Sequence, residues 1–123
     1  MLHRNRLTNN PDARPPAEVR FTELRVEPWP DGRRVRVHVS LTPFQQNPNL
    51  EAVIYDNQHE EVARASVVEA ADPRFVFTLH IRSQEVGGTY LISASLSYPD
   101  LGQVDERTYS FETHAEPDKE DNG

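Results

Sequence analysis

From about residue 18 to residue 113 the apolar residues of this chain recur at every second position, the period of a strand with one buried and one wet face. The clearest run spans 33–42, where Val35, Val37, Val39 and Leu41 point one way and Arg34, Arg36, His38 and Ser40 the other. Phe75, Phe77, Leu79 and Ile81 repeat the pattern against Val76, Thr78, His80 and Arg82, and Tyr90, Ile92, Ala94 and Leu96 repeat it against Leu91, Ser93, Ser95 and Ser97. Four further runs are less regular. Val19 and Phe21 are out of phase with Leu24 and Val26, so the first strand either bulges near Thr22 and Glu23 or switches sheets there. Segments 50–56 and 62–67 read as a hairpin across Asn57-Gln58-His59, and Tyr109 and Phe111 anchor the last strand. The count is seven strands, with Val37, Phe77 and Ile92 expected in the core.

The breakers agree with this division, because proline removes a ladder donor and glycine weakens a strand interior. Pro28, Pro30 and Gly32, then Pro43 and Pro48, Pro73, Gly87 and Gly88, and finally Pro99 and Gly102 all fall between the runs. No stretch of about ten residues has helical periodicity. The fold class is therefore all-β. Residues 1–17, with Pro11, Pro15 and Pro16 among polar residues, and the acidic stretch 114–123 carry too little apolar surface to offset the entropy of ordering. The expected organisation is a disordered arm over 1–17, one sandwich over 18–113 and a disordered tail over 114–123.

Seven short strands in fewer than a hundred residues resemble the immunoglobulin-like and fibronectin type III-like sandwiches, and the resemblance is to the fold. Gly88-Thr89-Tyr90, followed by Ile92, Ala94 and Leu96, looks like the start of the sixth strand with a tyrosine corner. That resemblance implies a hydrogen bond from Tyr90 to nearby backbone, where an ordinary core tyrosine is the alternative. The chain lacks the cysteine pair of antibody domains, and Trp29 lies in the first turn instead of on a central strand. The resemblance implies a seven-stranded antiparallel immunoglobulin-like sandwich and, since such sandwiches host unrelated activities, no particular function.

Charge and composition remove several function classes. A net charge of −7 disfavours general nucleic-acid binding. Without cysteine there is no disulfide, thiolate metal site or cysteine nucleophile. No segment is apolar enough for a signal peptide or a membrane span, so a complete chain is expected in the cytoplasm and away from membranes. No P-loop, dinucleotide fingerprint, HExxH or EF-hand pattern occurs. Ser40 and His38 have nothing behind them to build an oxyanion hole, Glu60-Glu61 and Asp105-Glu106 alternate faces, and Asp100 with Asp105 is too sparse for calcium. The chain is expected to be no enzyme and to need no cofactor or metal.

What remains is surface. Alternation collects Arg34, Arg36, His38, His80 and Arg82 on the outer face of two neighbouring strands, where arginines can grip carboxylates bidentately and the two histidines, if opposite, can bind a metal weakly. The alternative is a solvated face neutralised by Glu23, Glu27 or loop acids. A second candidate face carries Leu91, Ser93, Ser95 and Ser97, with Val53 and Tyr55 either beside them or in the core. The expected function is a non-enzymatic module binding a protein partner. The alternatives are a small-ligand or carbohydrate-binding sandwich, for which Trp29 and Tyr98 are the loop aromatics, and a structural spacer of a longer chain.

Overall fold

The computed structural model describes residues 10–83 and 87–114. All seven strands form: β1 (Phe21–Pro28), β2 (Arg34–Leu41), β3 (Asn49–Tyr55), β4 (Glu61–Val67), β5 (Arg74–His80), β6 (Gly88–Tyr98) and β7 (Gly102–Thr113). They build two antiparallel sheets, a three-stranded one in the order β1-β2-β5 and a four-stranded one in the order β4-β3-β6-β7. The molecule is an all-β sandwich of the immunoglobulin-like kind. Its only helical element among the described residues is a 3-10 turn, Pro16–Glu18.

Local sequence accounts for the irregularities. The register of β1 on β2 slips between Phe21 and Glu23, a bulge that brings Val19, Phe21, Leu24 and Val26 onto one buried side despite their change of phase. In the β3–β4 hairpin the Asp56 carboxylate accepts the N–H groups of Gln58 and Glu60, and His59 takes the left-handed conformation at φ 65°. At the start of β6 the Tyr90 hydroxyl donates to the Gly87 carbonyl at 3.5 Å, the backbone contact implied by the tyrosine-corner resemblance, and its ring stacks on Phe111.

The core is the set of inward residues of both sheets, Val35, Val37 and Val39 of β2 facing Leu50, Ala52 and Ile54 of β3 and Ile92, Ala94 and Leu96 of β6. Val37 and Ile92 are fully enclosed, as alternation predicts. Phe77 is not: with Phe75 it is only half-buried, because β5 is an outermost strand and β4, the strand facing it across the sandwich, covers it sparsely. Tyr109 is also exposed, although it pairs with the core residue Ile92, because it stands on the edge strand β7; Phe111 and Thr113 are the buried residues at that strand's end.

The arm expected over 1–17 differs from the structure in its second half. From Asn10 onward the chain docks: Arg14 bridges Phe44, its N–H donating to the Pro43 carbonyl while its own carbonyl accepts from Gln45, and Ala13 is buried. Backbone hydrogen bonding, which needs no apolar side chains, ties down this polar segment. Residues 1–9, and the tail beyond His114, lie outside the described residues.

Candidate functional site

Antiparallel pairing sets the outer face of the β1-β2-β5 sheet in rows. Glu27, Arg36 and Thr78 form one row, Arg25, His38 and Val76 the next, and Glu23, Ser40 and Arg74 a third, while Arg34 pairs with His80 at the end. Four of the five expected residues therefore share this face. Arg82 does not: the chain turns away after His80, the Arg82 N–H donates to the Val62 carbonyl, and its charge acts on Glu61 of the other sheet. The two histidines are also not opposite each other, since His38 faces Val76 and His80 faces Arg34. Among the described residues no group of three or more His, Asp or Glu is placed to hold a metal ion.

The turn between β1 and β2 supplies a feature that alternation does not reveal. Gly32, at φ 70°, lets the chain close, with its N–H on the Trp29 carbonyl and the Trp29 N–H on the Arg34 carbonyl. Asp31 accepts the backbone N–H groups of Arg33 and Arg34 and, through its other oxygen, the Arg34 guanidinium at 2.8 Å. The Arg33 N–H, followed by Arg34, holds the Asp31 carboxyl below its ordinary value. This frame sets the half-buried indole of Trp29 against two guanidinium groups, Arg34 at 4.0 Å and Arg36 at 5.7 Å from the ring centre. The signal was the arginines five and seven positions beyond a turn tryptophan, visible only once the turn's length is known.

Charges on this face are partly matched. The Glu27 carboxylate accepts a hydrogen bond from the His38 ring nitrogen Nε2 at 3.0 Å, and that contact, followed by the fields of His38, Arg36 and Arg25, lowers the carboxyl's pKa. Glu23 pairs with Arg25. Arg36 forms no ion pair with any described residue within salt-bridge distance, and its guanidinium borders a shallow depression of about 280 Å³ with Glu27, Pro28, Trp29 and Pro30. A second depression of about 290 Å³ runs beside it over His38, Arg74 and Val76.

The other candidate surfaces are more self-contained. On the outer face of the β4-β3-β6-β7 sheet Arg64 is held by both Glu51 and Glu61, and Ser93 donates to Glu106. Val53 and Tyr55 belong to this outer face in register with Ser93 and Leu91, yet Val53 is buried under its neighbours. At one end of the sandwich Gln46, Asn47, Asn49, Glu69, Tyr98 and Asp100 border a depression of about 410 Å³. Tyr98 is no platform there, since its ring is buried and its hydroxyl donates to the Gln46 carbonyl at 2.7 Å.

With this geometry in hand, comparisons with solved structures add the fold's relatives. A family 2 glycosyl hydrolase from Bacteroides cellulosilyticus superposes with a TM-score of 0.56 at 18% identity, over 76% of this chain and 15% of that one. A β-glucuronidase from Bifidobacterium dentium, complexed with coumarin-3-O-glucuronide, superposes with a TM-score of 0.59 at 14% identity, over 78% of this chain and 17% of that one. The likeness is one of fold. This chain thus matches a small β-sandwich portion of much longer proteins. No protein-family model and no curated protein sequence matches it. No helix among the described residues is long and apolar enough to cross a membrane.

Proposed function

We propose that the chain is a non-catalytic interaction module that takes an acidic protein partner at the Trp29 corner of the β1-β2-β5 sheet. The observation that carries this reading is Arg36, a guanidinium lying beside an aromatic ring and a shallow depression with no ion-pair partner among the described residues. Arg34 is already engaged by Asp31 and Trp29, so it shapes the corner, and Arg36 is the group left to receive a carboxylate. A planar guanidinium offers paired donors that match a carboxylate's two oxygens. The test titrates the protein with hexaglutamate at low and high salt. Arg36→Glu should weaken binding at least about tenfold, and salt should weaken it for the parent protein. Binding that is unchanged by Arg36→Glu and indifferent to salt sinks the proposal.

The fold's relatives favour a second reading, an accessory sandwich within or beside a carbohydrate-active chain, since the neighbours that share its architecture are glycosyl hydrolases of which it spans 15% to 17%. On that reading the amide- and carboxylate-lined depression at Asn47, Asn49 and Asp100 is the surface for sugar hydroxyls. A glycan array screened with the parent protein and with Asn47→Ala separates it from the first.

A further inference from the structure

Among the described residues the two sheets end in four edge strands, β1 and β5 in one and β4 and β7 in the other. An unpaired edge is a template for an incoming strand, and proteins ordinarily blunt it with bulges, charge or proline. Three of these edges are blunted. β1 carries the bulge between Phe21 and Glu23 and ends on Pro28. β4 lies against a register break at Ile54/Tyr55 and presents Glu61 and Arg64. β7 pairs across a break at Leu96/Ser97 and carries Asp105, Glu106 and Arg107. β5 has none of these: its pairing with β2 runs unbroken from Arg74 to His80, and Phe75-Val76-Phe77-Thr78-Leu79 between them is free of charge and proline.

The direction of its free hydrogen-bonding groups follows from two flanking bonds. Leu41 donates to the Pro73 carbonyl at 2.8 Å and Ile81 donates to the Arg33 carbonyl at 2.7 Å. In an antiparallel ladder the N–H and C=O of one residue point the same way and the direction alternates along the strand. Phe75, Phe77 and Leu79 therefore bond to β2, while the backbone groups of Arg74, Val76, Thr78 and His80 point out of the open edge. The Arg74 N–H turns to Asp72. Apolar surface meets this edge on both faces, the stacked and half-buried pair Phe75 and Phe77 on the core side and Val76, 53% exposed, on the outer side.

We infer that β5 receives an extended acidic segment of a partner protein as an added strand, beside Arg36. The inference rests on the acidic-partner reading of the same sheet and names how the partner is held. Residues directly opposite each other in a ladder share a face. Every second side chain of the added strand thus stands on the outer face opposite Arg74, Val76, Thr78 and His80, and the intervening ones close over Phe75 and Phe77. A carboxylate opposite Thr78 reaches past that short side chain towards Arg36, which Thr78 faces on β2. Those opposite Arg74 and His80 meet basic groups directly. A second copy of β5 lacks this match: centred on Phe77, it sets Arg74 against His80.

The test uses the full chain, isotope-labelled for amide NMR, and a capped peptide of alternating glutamate and valine matched to the seven residues of β5. The amides of Val76, Thr78 and His80 should shift and exchange at least about tenfold more slowly with peptide bound. The same peptide N-methylated at its ladder amides, and a lysine-valine version, should each bind at least about tenfold more weakly. If the N-methylated peptide binds as well as its parent and Arg36→Glu still weakens both, strand addition is wrong and the acidic reading stands. Equal response of the edge amides to the glutamate and lysine peptides, unaffected by Arg36→Glu, overturns the partner's chemistry and the acidic reading together. Concentration-dependent self-association that protects Val76 and Thr78 without peptide overturns it in favour of a second copy.

Discussion

β2 and β5 are neighbours in one sheet with the same alternation, and they differ in what lies on their far sides. β2 is flanked by β1 and β5, and its Val35, Val37 and Val39 are at most 1% exposed. β5 is flanked on one side alone, and Phe75 and Phe77, larger and more apolar, remain half-buried. Alternation reports which face of a strand turns inward. How much water that face sheds depends on whether a second neighbour stands beside it, and that is a property of topology.

The comparison breaks first at the core. Ile92→Ala, in the middle of the central strand β6, should cost about 2–5 kcal/mol in denaturant unfolding, since the surrounding sheets hold the cavity open. Phe77→Ala removes a larger side chain but should cost only about 1–2 kcal/mol, below the ~3–5 kcal/mol of an enclosed phenylalanine, because water already reaches the ring. Should Phe77→Ala prove the more damaging of the two, the edge description of β5 is wrong.

Tyr98→Phe should cost about 1 kcal/mol by leaving the Gln46 carbonyl without its donor. Burial also pushes the Tyr98 hydroxyl up to about 12 from 10.0. The unfolded chain then ionises first, so the stability this group contributes is complete below pH 10.0 and is lost as the pH rises towards about 12. Tyr98→Phe should flatten that alkaline decline. Smallest of all are the changes at the candidate corner: Trp29→Ala should cost about 0.5–1 kcal/mol through the lost stack on Arg34. Arg36→Glu should leave the unfolding midpoint within about 0.5 kcal/mol of the parent. A large loss with Arg36→Glu would show that this side chain is internally paired.

Much of the fold was legible because it rests on signals of short range. Alternation located all seven strands, the phase change between Phe21 and Leu24 located the bulge, and Asn57-Gln58-His59 located the hairpin. Register across strands was legible only in part. His38 and His80 share a face, but whether they meet depends on the length of the chain between β2 and β5, and Val76 stands opposite His38 instead. Arg82 keeps the phase of β5 in sequence, yet the chain leaves the sheet after Ile81, the last residue bonded beside β2, and Arg82 donates to Val62 of the other sheet. Tyr98 looked like a loop aromatic because Pro99 follows it, although it completes the inward series of β6. The corner at Trp29 depends on a turn whose geometry is set by Asp31 and Gly32 together, a cooperative feature that no single position announces.

The docked stretch before β1 bears on how the sandwich transmits force. Arg14 is clipped to Pro43 and Gln45 at the end of the molecule where β1 begins, and β7 leaves from the opposite end, where Thr113 pairs with Gly88. These two points stand apart by the length of the sandwich, about 40 Å for the twelve residues of β7 at the usual rise of about 3.3 Å. A pull between them opens the Arg14 clip and then drags β1 lengthwise along β2. In that direction the ladder bonds are loaded in shear and share the tension, whereas a pull from one end alone would part them one after another.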